Sequence, residues 1–187
     1  MSLSYRVTLQ VAEVVSADDK TVHQLDLQSI LSEEEMRDLL RQSLIARGYE
    51  EEEEGKMVRR EEYGEIMSAD LDALEMTAGV DEAAGVRGKV GTWGDAWSRA
   101  GASRQAEANA RDQANAMVGR GAKDAQRRVT QQLAEGEKER LEEMNETLQD
   151  VYAEALKRKA QKLGDVVDQH EGTNENGEYE LVIKVEV

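Results

Sequence analysis

The first residues of the chain alternate between apolar and polar side chains. The apolar positions are Leu3, Tyr5, Val7, Leu9 and Val11. Because successive side chains of a strand point to opposite faces, this spacing predicts a half-buried strand. The segment SADDKT at 16–21 is typical of a turn, so VHQLDLQ at 22–28 is expected to return as the second strand of a hairpin.

The segment LSEEEMRDLLRQSLIARG predicts a helix over residues 32–47. Ser32 and Glu35 have the spacing of a capping box, and the glutamates of the first turn favour the positive end of the helix dipole. One apolar stripe runs along it, formed by Met36, Leu39, Leu40 and Leu44. Arg47 and Gly48 are a suitable last-turn cation and C-terminal glycine.

The residues that follow predict more strands. The acidic run Glu50–Glu54 is read as a solvated loop, since it lacks the spacing of a calcium-binding loop. A short strand is expected at 56–63 and a hairpin at 64–80. Asp70 and Asp72 would form the turn of that hairpin.

The segment NENGEYELVIKVEV predicts a final strand within residues 176–187, in which Asn176-Gly177 is a turn signal at the start. Its alternating apolar positions are Tyr179, Leu181, Ile183, Val185 and Val187. Because an isolated strand is unstable, we expect this one to pair with the N-terminal sheet.

The intervening residues 98–168 predict a long helical arm, rich in alanine and long polar side chains. Its narrow apolar seam is coiled-coil-like and consists of Val129, Leu133, Leu141, Met144, Leu148, Tyr152, Leu156 and Leu163. A second stripe is made of Ala102, Ala106, Ala110, Ala114 and Met117. The seam could be buried by folding back on residues 98–118, as a hairpin, or by self-association.

Between sheet and arm lies GVRGKVGTWGDAW, residues 85–97, with a glycine at every third position. It matches neither a phosphate-binding loop nor a dinucleotide fingerprint. We interpret it as a flexible connector in which Trp93 and Trp97 anchor the root of the arm. The alternative is a docking patch, because tryptophan is enriched among interface hot spots.

These patterns together predict an α+β fold. It comprises a mainly antiparallel sheet of five or six strands with one packed helix, and a long helical arm or hairpin inserted before the last strand. The expected division is a body at 1–84, a connector at 85–97, the arm at 98–168 and a strand at 176–187 that returns to the body sheet.

Composition narrows the chemistry. The chain has no cysteine and only two histidines, His23 and His170, for which we expect structural roles. No metal, cofactor or catalytic motif is recognised, so we expect a protein that is not an enzyme. The net charge of −16 argues against nucleic acid as a partner. No signal peptide or membrane span is evident, which favours a cytoplasmic protein.

Three segments resemble a known family. LSEEEMRDLLRQSLIARGYE, KMVRREEYGEI and ADLDALEMTAGV are similar to accessory proteins of bacterial conflict systems that combine AAA+ ATPases or FtsH-type proteases with von Willebrand A partners. The resemblance covers residues 1–80. It implies a non-enzymatic component that works with an ATPase, and no catalytic residue carries over.

The function we expect is that of an adaptor or assembly protein acting through its arm on protein partners, with possible self-association through the arm. The expected partner-binding residues are Trp93, Trp97, Leu141, Met144, Leu148, Tyr152 and Leu156. One alternative is an acidic decoy that inhibits a cationic, DNA-binding surface. A second alternative is an enzyme with an unrecognised site.

Overall fold

The chain forms an α+β fold, as predicted, in a computed structural model that describes residues 3–61, 64–173 and 179–186. Its elements are β1 (Leu3–Gln24), α1 (Glu33–Ala46), β2 (Glu50–Glu53), β3 (Lys56–Arg60), β4 (Glu65–Asp70), β5 (Glu75–Ala96), α2 (Arg99–Leu163), β6 (Asp165–Thr173) and β7 (Tyr179–Glu186). Five strands form an antiparallel sheet in the order β1-β5-β4-β3-β2. The long helix α2 is inserted before the last two strands, which pair with each other.

Contacts divide the chain into two units. Unit 1 comprises residues 1–20, 63–65 and 79–135, and unit 2 comprises 21–62, 66–78 and 136–187. Unit 1 carries 11 basic and 11 acidic side chains, whereas unit 2 carries 13 basic and 29 acidic ones. Unit 2 therefore holds the whole of the net charge of −16.

In unit 1, α2 covers one face of the ribbon formed by β1 and β5. The predicted alternation of β1 is confirmed, because its odd-numbered residues from Tyr5 to Val11 are half-buried or buried and their even neighbours are exposed. The helix meets this face with small side chains. Ala102, Ala106 and Ala110 are fully buried there. Small residues let a helix approach a strand closely.

The turn predicted at 16–21, with a returning strand at 22–28, is wrong. β1 runs without interruption through Gln24. Nothing in SADDKT is a glycine or proline, and α2 supplies partners for its polar groups. Thr130 Oγ1 donates to a carboxylate oxygen of Asp19 at 2.7 Å, and Gln126 Nε2 donates to the Asp18 carbonyl at 3.0 Å.

The flexible connector predicted at 85–97 is also wrong, because β5 extends to Ala96. Two of its glycines face α2. A Cβ on Gly94 would overlap the backbone of Ala102 and Ala106, and one on Gly88 would lie 2.7 Å from the Met117 sulfur. The glycines therefore serve close packing of the strand against the helix, whereas the sequence pattern suggested flexibility.

In unit 2, the predicted helix is confirmed as α1. Ser32 is its N-cap in a complete capping box with Glu35, and the four stripe residues Met36, Leu39, Leu40 and Leu44 are buried. Gly48 follows with a φ of +86°, a conformation that side chains other than glycine rarely adopt. Local chemistry is thus sufficient to define this helix.

The small strands of unit 2 correct one expectation and confirm another. Glu50–Glu53 form the exposed edge strand β2 rather than a loop, because their backbone pairs with β3. The hairpin predicted at 64–80 corresponds to β4 and the start of β5. Asp70 forms its turn, since its side chain accepts from the backbone N–H groups of Asp72 and Ala73. The Ala73 N–H is the main cause of the lowered pKa of Asp70.

The last strand does not join the N-terminal sheet, which corrects the prediction for 176–187. β7 pairs antiparallel with β6 in a sheet of its own. The physical reason is loop closure, because β6 immediately precedes β7 along the chain and is far cheaper to reach than β1. The predicted turn at Asn176-Gly177 and the place of Val187 lie outside the described residues.

The arm predicted at 98–168 is a single helix, Arg99–Leu163, so the hairpin alternative is not formed. The prediction was too long at its end, because residues 165–168 belong to β6. The helix is not a free stalk in unit 2, where the Tyr152 hydroxyl donates to the Asp26 carbonyl and Arg59 binds Glu143 through two hydrogen bonds. Among the helices of the described residues, none has a stretch that is long and apolar enough to cross a membrane.

Candidate partner-binding surface

The outer face of the β1–β5 ribbon in unit 1, opposite α2, carries an exposed tryptophan. Trp93 is 59% exposed, and the Arg6 guanidinium lies 5.6 Å from the centre of its ring. The neighbouring Ser4 hydroxyl donates to Asp95. An exposed tryptophan held by a cation is typical of an interface anchor.

The backbone of β5 fixes the direction in which Trp93 points. Thr92 is buried and its hydroxyl donates to the Ala106 carbonyl at 2.7 Å, while Gly94 is buried against the same helix. Asn109 Nδ2 donates to the Trp93 carbonyl at 3.3 Å. Since both neighbours face α2, the Trp93 side chain must face away from it.

Basic side chains and a glycine surround the Trp93 ring. Gly91 lies beside the Arg6 side chain, since a Cβ there would be in ordinary contact with Arg6 Nη2 at 3.6 Å. Arg87 and Lys89 are exposed and alternate along β5 in phase with Trp93. We name Arg6, Arg87, Lys89, Gly91 and Trp93 the Trp93 surface.

The second tryptophan lies just beyond β5. Trp97 is 85% exposed, so it does not anchor the root of α2 through burial. It belongs to unit 1 with the Trp93 surface. Both tryptophans are thus available to a partner, and their role in binding remains a prediction.

The five other predicted partner-binding residues lie on α2 in unit 2. Leu141, Met144 and Leu148 are half-buried, and Leu156 is 41% exposed. The hydroxyl of Tyr152 is used within the unit, since it also accepts from the Gln28 N–H at 3.2 Å. The seven predicted residues therefore fall into two groups in different units.

A shallow apolar groove extends the second group. It has a volume of about 300 Å³ and is lined by α2 and β7, with Leu156, Leu163, Leu181, Ile183 and Val185 as its apolar residues. The odd-numbered side chains of β7 that face it are only half-buried. The apolar face of β7 is thus only partly buried.

Tyr49 is a buried titratable group of unit 2, and the half-buried Arg59 packs against it. Arg59 bridges β3 to Glu143 at 2.6 and 2.8 Å and lies 4.6 Å from the ring of Tyr49. Burial raises the pKa of Tyr49, and the hydrogen bond to Glu143 raises that of Arg59. Both groups keep their protons at neutral pH and so do not act as bases.

The two histidines are in separate places. His23 Nε2 lies 3.0 Å from Glu137 Oε1, a short contact although its angles are poor for a hydrogen bond. Burial works to raise the pKa of Glu137, but Arg140 and His23 together lower it. His170 is exposed on β6. Within residues 3–61, 64–173 and 179–186, no group of three or more His, Asp or Glu could hold a metal.

Arg6 is the residue of the Trp93 surface that sequence reasoning missed. It is an ordinary polar position in the alternation of β1. Its role depends on the antiparallel register, in which Ser4 lies opposite Asp95, Arg6 opposite Trp93 and Thr8 beside Gly91. No local signal in the sequence reveals that register.

Comparison with protein families finds a match over the whole chain. The model of the family described as FtsH ternary system domain X5 matches residues 1–187. No curated protein and no solved structure matches the chain. The resemblance predicted from segments within residues 1–80 is confirmed, and the match extends well beyond them.

Proposed function

We propose that this chain, which belongs to the FtsH ternary system domain X5 family, is an adaptor. It acts within a protein complex and is not an enzyme. An accessory role in a complex is consistent with that membership. The adaptor binds a protein partner through the Trp93 surface of unit 1. The FtsH-type ATPase of the ternary system is the partner that the family description favours.

The observation that carries this proposal is the exposure of Trp93 on a sheet face that no described element covers. Trp93 is 59% exposed, so burial of its large apolar ring by a partner would contribute favourable free energy to binding. Arg6 already orders the ring, so binding costs little side-chain entropy. Arg87 and Lys89 favour a partner surface with acidic residues around an apolar pocket.

The helix residues of unit 2 supply a second contact. Leu156 and its groove expose apolar surface that a partner's apolar side chains could cover. We assign this groove a weaker contribution, because it holds no exposed aromatic residue and Tyr152 is engaged within the unit. The assembly thus relies first on unit 1.

Binding of the purified chain to the FtsH and von Willebrand A components of the system, measured by calorimetry, tests the proposal. Trp93→Ala should weaken binding to one component at least ~30-fold, since a central hot spot contributes about 2 kcal/mol or more. Val14→Ala is the matched control, because Val14 is 74% exposed on β1 without an aromatic ring. An equal effect of the two variants, or full binding by Trp93→Ala, would contradict the proposal.

A second candidate is the acidic decoy of a cationic surface, which the concentration of charge in unit 2 favours. That unit carries 29 acidic and 13 basic side chains. Binding by a decoy should fall steeply between 50 and 300 mM salt, about tenfold or more, because charge contacts are screened. Binding through Trp93 should change much less, so the salt series separates the two functions.

A further inference from the structure

The outer edge of β1 is the feature of unit 1 that the proposed function leaves unused. β1 stands at the end of the sheet order, paired on one side with β5. It is 22 residues long, and an edge of that length presents a long row of backbone donors and acceptors. The chain has no proline to interrupt the row.

Hydrogen bonds show whether the odd-numbered or the even-numbered residues of β1 direct their backbone groups to the open edge. Leu25, just after β1, donates its N–H to the Leu74 carbonyl at 2.7 Å, so odd-numbered residues exchange bonds with β5. The even-numbered residues therefore direct their backbone groups to the open edge. The Asp18 carbonyl, which accepts from the Gln126 side chain instead of from β5, agrees with this parity.

In unit 1, side chains of α2 cover the outer edge of β5, whereas the outer edge of β1 is left open. On β5, Asn109 binds the Trp93 carbonyl, and the Asp95 N–H donates to the Gln105 side chain at 3.1 Å. On β1, side chains reach only the Asp18 carbonyl and the Lys20 N–H, the latter through Asp19. No such bond is found along the even residues from Ser4 to Ser16 in the part of the chain that the structure describes.

We propose that this edge pairs antiparallel with the same edge of a second copy of the chain, with Ala12 opposite Ala12 of the copy. Pairing of even residues with even residues keeps both α2 helices on one face of the joined sheet. Among neighbouring registers of that parity, this one sets Arg6 opposite Asp18 on both sides of the two-fold axis. In the two neighbouring registers, where the numbers of facing residues add up to 26 or 22 instead of 24, Arg6 would lie opposite Lys20 or Ser16.

The dimensions of the ribbon fit the same arrangement. Two strands about 4.8 Å apart occupy roughly the 10 Å width of the one helix that covers them. Joining two such ribbons would give four strands under two helices, and the width of four strands is roughly that of two helices side by side. The pairing is isologous, so it closes as a dimer and does not extend into a filament.

Cysteine crosslinking of the full chain gives the sharpest test, because the natural sequence has no cysteine. Facing Cα atoms in a hydrogen-bonded pair are about 5.5 Å apart, within the range for a disulfide. Ala12→Cys should therefore oxidise to a covalent dimer. Gln10→Cys is the matched control, since its own copy lies about 14 Å away along the strand and should remain uncrosslinked.

A backbone test separates edge pairing from contact between side chains. Gln10→Pro removes one N–H from the open edge and none from the ladder with β5, so the monomer should keep its fold. Sedimentation equilibrium of this variant should show at least a tenfold weaker dimer than the natural chain. Gln10→Ala keeps the N–H and should leave the dimer unchanged.

Charge reversal tests the register. Arg6→Asp and Asp18→Arg should each weaken the dimer, and the double variant should restore it, although the contact of Arg6 with Trp93 is lost in both Arg6 variants. A chain that is monomeric up to about 100 µM would overturn the proposal. So would a dimer insensitive to Gln10→Pro, or equal crosslinking of the two cysteine variants. These measurements use the chain alone, so their failure leaves the adaptor proposal standing.

Discussion

Single glycines decide how closely β5 approaches α2. Gly94 and Gly88 face the helix, whereas a Cβ on Gly85 would meet no atom within 4 Å. The regular spacing of three thus places successive glycines on alternate faces of the strand. One residue type serves close packing at some positions and leaves open surface at others.

We predict opposite effects for the same substitution at two of these glycines. Gly94→Ala should reduce the free energy of unfolding by about 3 kcal/mol, because its methyl group would overlap the backbone of Ala102 and Ala106. Gly85→Ala should be neutral or stabilise by up to about 1 kcal/mol, since it restricts the unfolded chain. Urea denaturation measures both, and a mild Gly94→Ala would show that the packing is loose.

Glu35 makes the stability of unit 2 depend on pH. Its hydrogen bonds to Lys162, at 2.6 Å, and to Ser32 lower its pKa from 4.5 to about 2. Because the pKa is lower in the folded state, the contribution is complete above about pH 4.5 and is lost as pH falls toward 2.

Comparison of the natural chain with Glu35→Gln over a pH series tests this dependence. Urea midpoints should differ at pH 7, and the difference should shrink steadily as pH falls from 4.5 to 3. Glu34→Gln, a first-turn neighbour that is exposed, is the control and should differ little at any pH. A difference that grows in acid would refute the assignment.

At the scale of elements, α2 has only weak amphipathic periodicity along its length, and tertiary contacts stabilise it. In unit 1 its alanine stripe packs on the ribbon. In unit 2, Arg59 of β3 and Arg47 after α1 reach it through Glu143 and Asp150. The helix thus makes both apolar and polar contacts, since α2 also donates to β1 in unit 1 and buries Val151 and Ala155 in unit 2.

The Arg59–Glu143 pair is expected to contribute measurably, because its side chains are only 22 and 24% exposed. Glu143→Gln should lower the free energy of unfolding by about 1–3 kcal/mol, as Arg59 would lose its bidentate partner. Glu142→Gln removes a neighbouring carboxylate that is 59% exposed and should change stability by under about 0.5 kcal/mol. Chemical denaturation of both variants at pH 7 makes the comparison.

At the scale of the whole molecule, charge is unequally distributed. Unit 1 is neutral by count, and unit 2 carries a net −16. Self-repulsion among like charges opposes folding and is reduced by salt. Repulsion among its carboxylates therefore lowers the stability of unit 2 and not that of unit 1.

This imbalance predicts a salt-dependent effect of removing carboxylates. Glu50→Gln with Glu54→Gln, on and beside β2, should raise the free energy of unfolding by a few tenths of a kcal/mol at low salt, and the gain should vanish near 0.5 M. Asp81→Asn with Asp112→Asn removes two exposed charges from neutral unit 1 and should give no gain. Equal gains in both pairs would mean that the charge distribution has no such consequence.

The sequence by itself determined the elements whose signals are local. Ser32 and Glu35 cap α1, the alternation of β1 selects its buried face, and Asp70 makes the turn before β5. In the cap and the turn the decisive interactions join residues a few positions apart, and in β1 the spacing alone marks the face that must be buried. The absence of proline between 99 and 163 likewise allowed a long helix, which continues through Gly101, Gly119, Gly121 and Gly136.

Only the tertiary structure decided which distant residues meet. The continuation of β1 through SADDKT and the pairing of Arg6 with Trp93 depend on contacts across long stretches of chain. The packing role of the glycines and the pairing of β7 with the adjacent β6 depend on contacts over shorter distances in the chain, but no local pattern specifies them. A periodic pattern states that a face must be buried but not what buries it. That choice depends on loop-closure entropy, register and shape, which one sequence does not encode locally.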